Sequence, residues 1–191
     1  TFIHYDFGYR ILLGDDPVKD YWIVHGFIID YIQAIFFKVF GNNWYSYVIH
    51  SSLFNAVISI SSYSIFRILK IEIYVAFLLS IFIAFLAYPV SGTPFLDLHS
   101  TFFSLLAVYI LIVAITKEKN FYWFYVSILL CFAFFSKQVP AAYTIIGISL
   151  INIYFTIIKN EIKCFIYYVL GAFLFSFFLL FFLQVKEISI H

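Results

Sequence analysis

Charge is what this sequence lacks most. Asp, Glu, Lys and Arg make up only 11% of its 191 residues, against 64% apolar and 24% aromatic. Soluble domains run nearer half apolar and a quarter charged, so no water-soluble fold of this size could hide so much Phe, Ile and Leu. The composition predicts an all-α integral membrane protein. A net charge of +1, with no basic stretch behind it, excludes nucleic acid as a partner. Cysteine is scarce too. Cys131 falls within a predicted span and Cys164 at the start of another, in no metal-ligand spacing, so both read as small buried hydrophobes. Methionine is missing altogether and the sequence opens on Thr1. Translation needs an initiator, so the reading is an internal piece or a processed form, with a membrane span ahead of Thr1. Residues 1–22 lack the basic-then-apolar pattern of a signal peptide. No stretch reads as an internal repeat, a linker or a second domain; residues 1–191 are taken as one polytopic unit.

What charge there is collects at the front. Residues 1–22 hold Asp6, Asp15, Asp16 and Asp20 with His4, Arg10 and Lys19, and read as a loop outside the membrane. Ile11–Leu13 is at most a short helical turn stopped by Gly14, and Pro17 stiffens the loop beyond it. The aromatic pair Tyr21-Trp22 and a His25-Gly26 step lead into a helical pattern over residues 23–40. At 100° per residue, His25, Gly26, Asp30 and Gln33 share an arc of about 140°. A polar stripe on one short helix suits a position lying in the membrane interface. Gly41-Asn42-Asn43 ends it.

Six apolar segments come next, at roughly 45–66, 71–88, 97–116, 121–136, 140–158 and 163–184, each near the length that crosses a bilayer. Trp44, Tyr45 and Tyr47 open the first as an interfacial belt, and Tyr122, Trp123 and Tyr125 open the fourth. One set of connecting loops holds Arg67, Lys70, Lys117, Lys119, Lys159 and Lys163. Uniformly basic short loops mark the cytoplasmic side. Arg10, Lys19, Lys38, Lys137 and Lys186 fall on the other side, together with every loop Asp and with His4, His25 and His99; any chemistry is therefore expected on the outer face. Inside the first span, Ser51, Ser52, Asn55, Ser59 and Ser62 share a face and read as a helix-packing seam.

Three features carry candidate chemistry. Asp15-Asp16-x-x-x-Asp20 offers the carboxylate oxygens that a hard divalent cation prefers, although the spacing is not that of an EF-hand and solvated carboxylates explain it equally. Thr93-Pro94-x-x-Asp97 reads as a helix start with Thr93 as cap. Lys137, within Ser136-Lys137-Gln138, lies about 17 residues, roughly 25 Å, from the cytoplasmic end of its span. It is either a snorkelling lysine or a cation waiting at headgroup depth for a lipid-linked phosphate. Asp6-Phe7-Gly8 spells a kinase triplet without the rest of that signature, and is chance.

Read together, three pieces resemble the GT-C superfamily of membrane glycosyltransferases, which includes the protein mannosyltransferases and aminoarabinose transferases. The first is the outer loop, carried by Arg10, Leu12, Gly14, Pro17, Asp20, Tyr21 and Trp22. The second is the interfacial helix ending in Phe40-Gly41, and the third is Phe135, Lys137 and Gln138 at a span end. The resemblance implies a polyprenyl-phosphate-sugar donor and a lipid, glycan or protein acceptor, in a bacterial inner membrane with the site on the periplasmic side. It also implies an Asp general base in the first outer loop and inversion at the anomeric carbon. That Asp aligns at or just before Thr1, so either it precedes the chain or Asp6 takes its place. Asp20 and His25 then line the site, Lys137 with Gln138 meets the phosphate, and Arg10 is a second candidate for that contact. The one cofactor this reading admits is a divalent metal, for which Asp15, Asp16 and Asp20 are the candidate ligands. A transporter or flippase of a lipid-linked intermediate, or a non-catalytic membrane subunit, are the alternatives. The first would need ionisable groups near mid-bilayer, where the spans offer only Ser and Asn.

Overall fold

The computed structural model describes residues 2–17, 19–21, 23, 25–87 and 92–188. Among them the chain is all helix, in the order α1 (Ile3–Leu13), α2 (Ile28–Phe40), α3 (Trp44–Ile68), α4 (Ile73–Ala87), α5 (Leu96–Thr116), α6 (Tyr122–Ser136), α7 (Gln138–Ile157) and α8 (Ile162–Ile188). The six apolar segments expected from the sequence coincide with α3 to α8 to within a few residues. Four of these, α3, α5, α7 and α8, are long and apolar enough to cross a membrane. α4 and α6 have 15 residues each, about 22 Å, short of a hydrocarbon core of about 30 Å. The protein is an all-α membrane protein.

The front of the chain differs from its sequence reading. Where a loop with one turn at Ile11–Leu13 is expected, α1 runs for 11 residues. It is held by an Asp6–Arg10 pair one turn apart and closed by Gly14 at φ 104°, whose N–H and that of Asp15 bond back to Ile11 and Arg10. Only glycine adopts that left-handed cap without strain. The second helix begins at Ile28 rather than residue 23. Asn43 caps α3 by accepting the Ser46 N–H. Thr93 does not cap α5, which starts at Leu96 with Phe95 at its cap and no side-chain bond there; Asp97 still falls in its first turn.

α5 is the central helix. More than half of its apolar window is buried, against 6% for α8, which faces outward. Small residues bring the helices together: Ala107, Ala133 and Ala141 have no exposed surface, as expected where lipid is as apolar as the core and association rests on close packing. α3 carries the anticipated seam. Asn55 and Ser59 donate to the Ala84 and Ser80 carbonyls of α4, and Ser62 pairs with the Tyr109 hydroxyl of α5. Ser52 stands outside it, exposed. At one end of the bundle, Lys70, Glu118 and Asn160 take left-handed conformations in the three basic turns, and Asn120 bonds Glu161 between two of them. At the opposite end, α1 packs on α2, α2 meets α3 and α6, and Gly26 just ahead of α2 rests on the α6–α7 junction.

That seating depends on Gly26. Its N–H donates to the Ser136 carbonyl, 3.1 Å away, and a Cβ there would collide with the Phe135 backbone carbonyl. Gly171 on α8 is similar, pressed against Phe124 and Ser127 of α6, whereas Gly147 on α7 has open space. Gly26→Ala and Gly171→Ala are each expected to destabilise the protein by on the order of 3 kcal/mol through overpacking. Gly147→Ala should be neutral or stabilising by up to about 1 kcal/mol from helix propensity. Thermal unfolding of the detergent-solubilised protein separates the three.

Candidate functional site

The polar arc of α2 does not face water. Asp30 and Gln33 are completely buried, while Ile35 and Val39 on another side are 60% and 66% exposed. The residues on the arc are those the periodicity singles out, but α1 covers them. Gly8 allows this approach, since even a Cβ at that position would come within 2.7 Å of Gln33 Cγ.

Two hydrogen-bonded groups are built on that face. In the first, Asp30 Oδ1 lies 2.9 Å from His4 Nδ1 of α1, and Oδ2 lies 3.2 Å from His25 Nε2 of the loop. The two rings meet edge to face at 4.8 Å, and Phe7 stacks between His25 and Tyr21. Arg10 covers the other face of this aromatic group, 5.6 Å from the Tyr21 ring centre. Burial, reinforced by the nearby Asp30 carboxylate, pushes the Tyr21 hydroxyl well above its ordinary value, so it stays protonated.

In the second group, Gln33 meets His50 Nδ1 of α3 at 2.8 Å, His50 Nε2 meets His99 Nε2 of α5 at 3.0 Å, and His99 Nδ1 donates to the Phe95 carbonyl. Satisfying both rings fixes the direction of these bonds. If Gln33 accepted from His50 Nδ1, two neutral imidazoles would point lone pairs at each other. With the amide turned so that its NH₂ donates to His50 Nδ1, His50 Nε2–H donates to His99 and His99 Nδ1–H to Phe95. Neither ring then needs a charge. Four histidines from four segments thus converge on one helix face, joined to it through Asp30 and Gln33. The sequence separates His4 from Asp30 by 26 positions, and only tertiary packing brings them together.

The other expected site residues lie at the rim. Asp6 is 56% exposed and held by Arg10, which also approaches Asp15 at 3.9 Å. Asp20 closes its own turn, accepting the Asp16 N–H at 2.7 Å while its N–H bonds the Asp16 carbonyl. Among the described residues, the His, Cys, Asp and Glu side chains that converge as a metal could require are therefore not Asp15, Asp16 and Asp20. They are His4, His25 and Asp30, with donor atoms within 4.8 Å of one another. Lys137 is the one non-helical residue between α6 and α7. Its ammonium pairs with Asp97, and its carbonyl accepts from Ser100. Gln138 is exposed beside it. Trp22 lies outside the described residues.

Next to this polar end is an apolar groove of about 700 Å³, between α1 and α2 on one side and α6 and α8 on the other. Leu12, Ile35, Phe132, Phe178 and Phe182 line it, with Lys38 at its edge.

Removing the Asp30 carboxylate strands two buried imidazoles. Asp30→Ala is expected to cost about 3 kcal/mol, the range found when one partner of a buried polar pair is deleted. Asp6→Ala should stay within about 0.5 kcal/mol, because its ion pair is exposed. Equilibrium unfolding of the two variants tests the contrast.

None of the curated proteins and none of the solved structures matches the chain. One family does, over residues 24–182, from the loop that holds His25 to the end of the apolar stretch of α8. That span covers most of the 191 residues, so the chain belongs to the dolichyl-phosphate-mannose-protein mannosyltransferase family and is a membrane glycosyltransferase of the GT-C type.

Proposed function

We propose that the protein moves a sugar from a polyprenyl-phosphate carrier to a lipid, glycan or protein acceptor at the α1–α2 end of the bundle, on the outer face of the membrane. The family supports this class of donor. The observation that carries the reading for this chain is the groove of about 700 Å³. It is walled by aliphatic and aromatic side chains, lies beside the polar end, and has the chemistry of a site for an isoprenoid tail. The basic turns at the opposite end of the bundle support the assignment of sidedness.

In the proposed reaction the donor tail lies in the groove, with its phosphate at the rim. A carboxylate takes the proton of the acceptor hydroxyl, and the oxygen attacks the anomeric carbon with inversion. The carbon–oxygen bond to phosphate breaks with its electrons on the phosphate. Of the carboxylates considered, Asp6 is exposed enough to reach an acceptor, whereas Asp30 is enclosed by two histidines; a general base must come within hydrogen-bond distance of its proton. Lys137, with Gln138 and Arg10, receives the departing phosphate. The Asp97 carboxylate then holds the lysine until the phosphate replaces it, and Asp20 lines the approach, with His25 enclosed behind it.

Transfer assays with donors of long and short isoprenoid chain test this. Lys137→Ala is expected to lower kcat/KM at least tenfold, the loss of a charge-assisted contact worth about 1.5 kcal/mol or more. Ile35→Trp, which narrows the groove from an exposed position, should raise KM for the long-chain donor and leave a short-chain donor unaffected. Equal effects on both donors would remove the groove from the reading. Movement of a lipid-linked sugar across proteoliposomes with no acceptor present would favour a transporter instead.

A further inference from the structure

Asp30 poses a problem of charge. Its carboxylate has no exposed surface, and no Lys or Arg pairs with it among the described residues: Arg10 is engaged by Asp6 and Asp15, and Lys137 by Asp97. An ionised carboxylate away from water requires a compensating positive charge. What surrounds it instead is two imidazoles, supplied by α1 and by the 23–27 loop. The separations are informative. His4 Nδ1 to Oδ1 is 2.9 Å and His25 Nε2 to Oδ2 is 3.2 Å, and the donor atoms all fall within 4.8 Å of one another. Ligands bound at about 2.0–2.2 Å to one small cation stand about 3 Å apart. The His4–Asp30 and His25–Asp30 separations suit hydrogen bonds and metal-ligand edges alike; an imidazolium would balance the carboxylate too, but a cation that draws the three donors together supplies the positive charge with both imidazoles neutral.

We propose that His4, His25 and Asp30 bind one divalent transition-metal ion of the zinc class. The donor set is two imidazoles and one carboxylate, which suits zinc, cobalt or iron(II) and not the all-oxygen shell preferred by calcium or magnesium. It is distinct from the loop carboxylates Asp15, Asp16 and Asp20. Binding turns each imidazole to the tautomer that presents its lone pair to the ion, with no net loss of protons from neutral rings. Because the three ligands come from α1, the loop and α2, the ion fastens the front of the chain to the bundle. The proposal concerns binding and does not depend on the transfer reaction.

Purified protein without a polyhistidine tag, stripped with chelator and titrated with Co²⁺, provides the test. The expected result is one Co²⁺ per chain with visible ligand-field bands, displaced by Zn²⁺, and a higher Tm on metal addition. Asp30→Asn and His25→Gln should each weaken binding at least tenfold, while Asp15→Asn and Asp20→Asn leave it unchanged. Circular dichroism identifies any variant that has lost its helices; if Asp30→Asn has, His25→Gln decides. The proposal is overturned if the folded wild-type protein binds no Co²⁺, or if the bands survive loss of His25. It is equally overturned if only the Asp15 and Asp20 variants weaken binding.

Discussion

The polar face of α2 must be buried and must find partners, and much of the α1–α2 end of this fold is a consequence of that requirement. Asp30 and Gln33 have no exposed surface in a protein whose surroundings are largely hydrocarbon, where an unpartnered polar group costs several kcal/mol. The chain meets most of the demand from four directions, leaving one amide atom of Gln33 and Nε2 of His4 without a partner among the described residues. α1 returns over α2 to deliver His4, which is possible because Gly8 leaves room against Gln33. The 23–27 loop delivers His25, which is possible because Gly26 rests directly on the Phe135 backbone. α3 and α5 contribute His50 and His99. Each glycine permits a contact that one of the polar groups needs.

The length of α6 sets where this happens. The helix is about 22 Å long, and the Ser136–Lys137 junction at its end stands beside the first turns of α5, where Asp97 and Ser100 meet Lys137. The Ser136 and Lys137 carbonyls, freed by the break, are used at once: one accepts from Gly26 and the other from Ser100. In a membrane protein, non-helical backbone between apolar helices is tolerated when enclosed by protein in this way. Pro140 lies in the first turn of α7, where it costs no helical hydrogen bond.

Membrane class and the apolar helices are legible in the sequence because a long run of Phe, Ile and Leu needs no tertiary context to be recognised. The α1–α2 end is legible only in parts. Periodicity puts Asp30, Gln33, His25 and Gly26 on one face, yet it cannot say what covers a face, and a short helix with one polar stripe reads naturally as facing water. α1 is obscured by its own composition, since Asp6, Gly8 and Arg10 interrupt any apolar rhythm. Its signals, a carboxylate and a guanidinium one turn apart and a terminal glycine, are each weak alone. His4 and His99 are expected on one side of the membrane, but nothing in the sequence joins His4 to Asp30, His50 to Gln33 or His99 to His50, since those contacts span 17 to 49 positions. Thr93 has the look of a cap because Pro94 comes after it; the helix in fact starts after Pro94 and Phe95.

α2 therefore turns its polar side chains inward and its aliphatic ones toward the groove. The two sides serve different ends. Inward, the histidines and Asp30 are too enclosed to meet an acceptor, and their geometry is that of an organising centre. Outward, Ile35 and its neighbours offer an apolar wall beside a rim where Asp6, Arg10, Asp97 and Lys137 remain partly exposed. A base and a phosphate-binding cation must exchange partners during each turnover, and only groups with some access can do so. Groups that fix the backbone must not exchange at all. An enclosed imidazole–carboxylate set and an accessible rim thus share one end of the bundle, and α2 is the element that keeps the two apart.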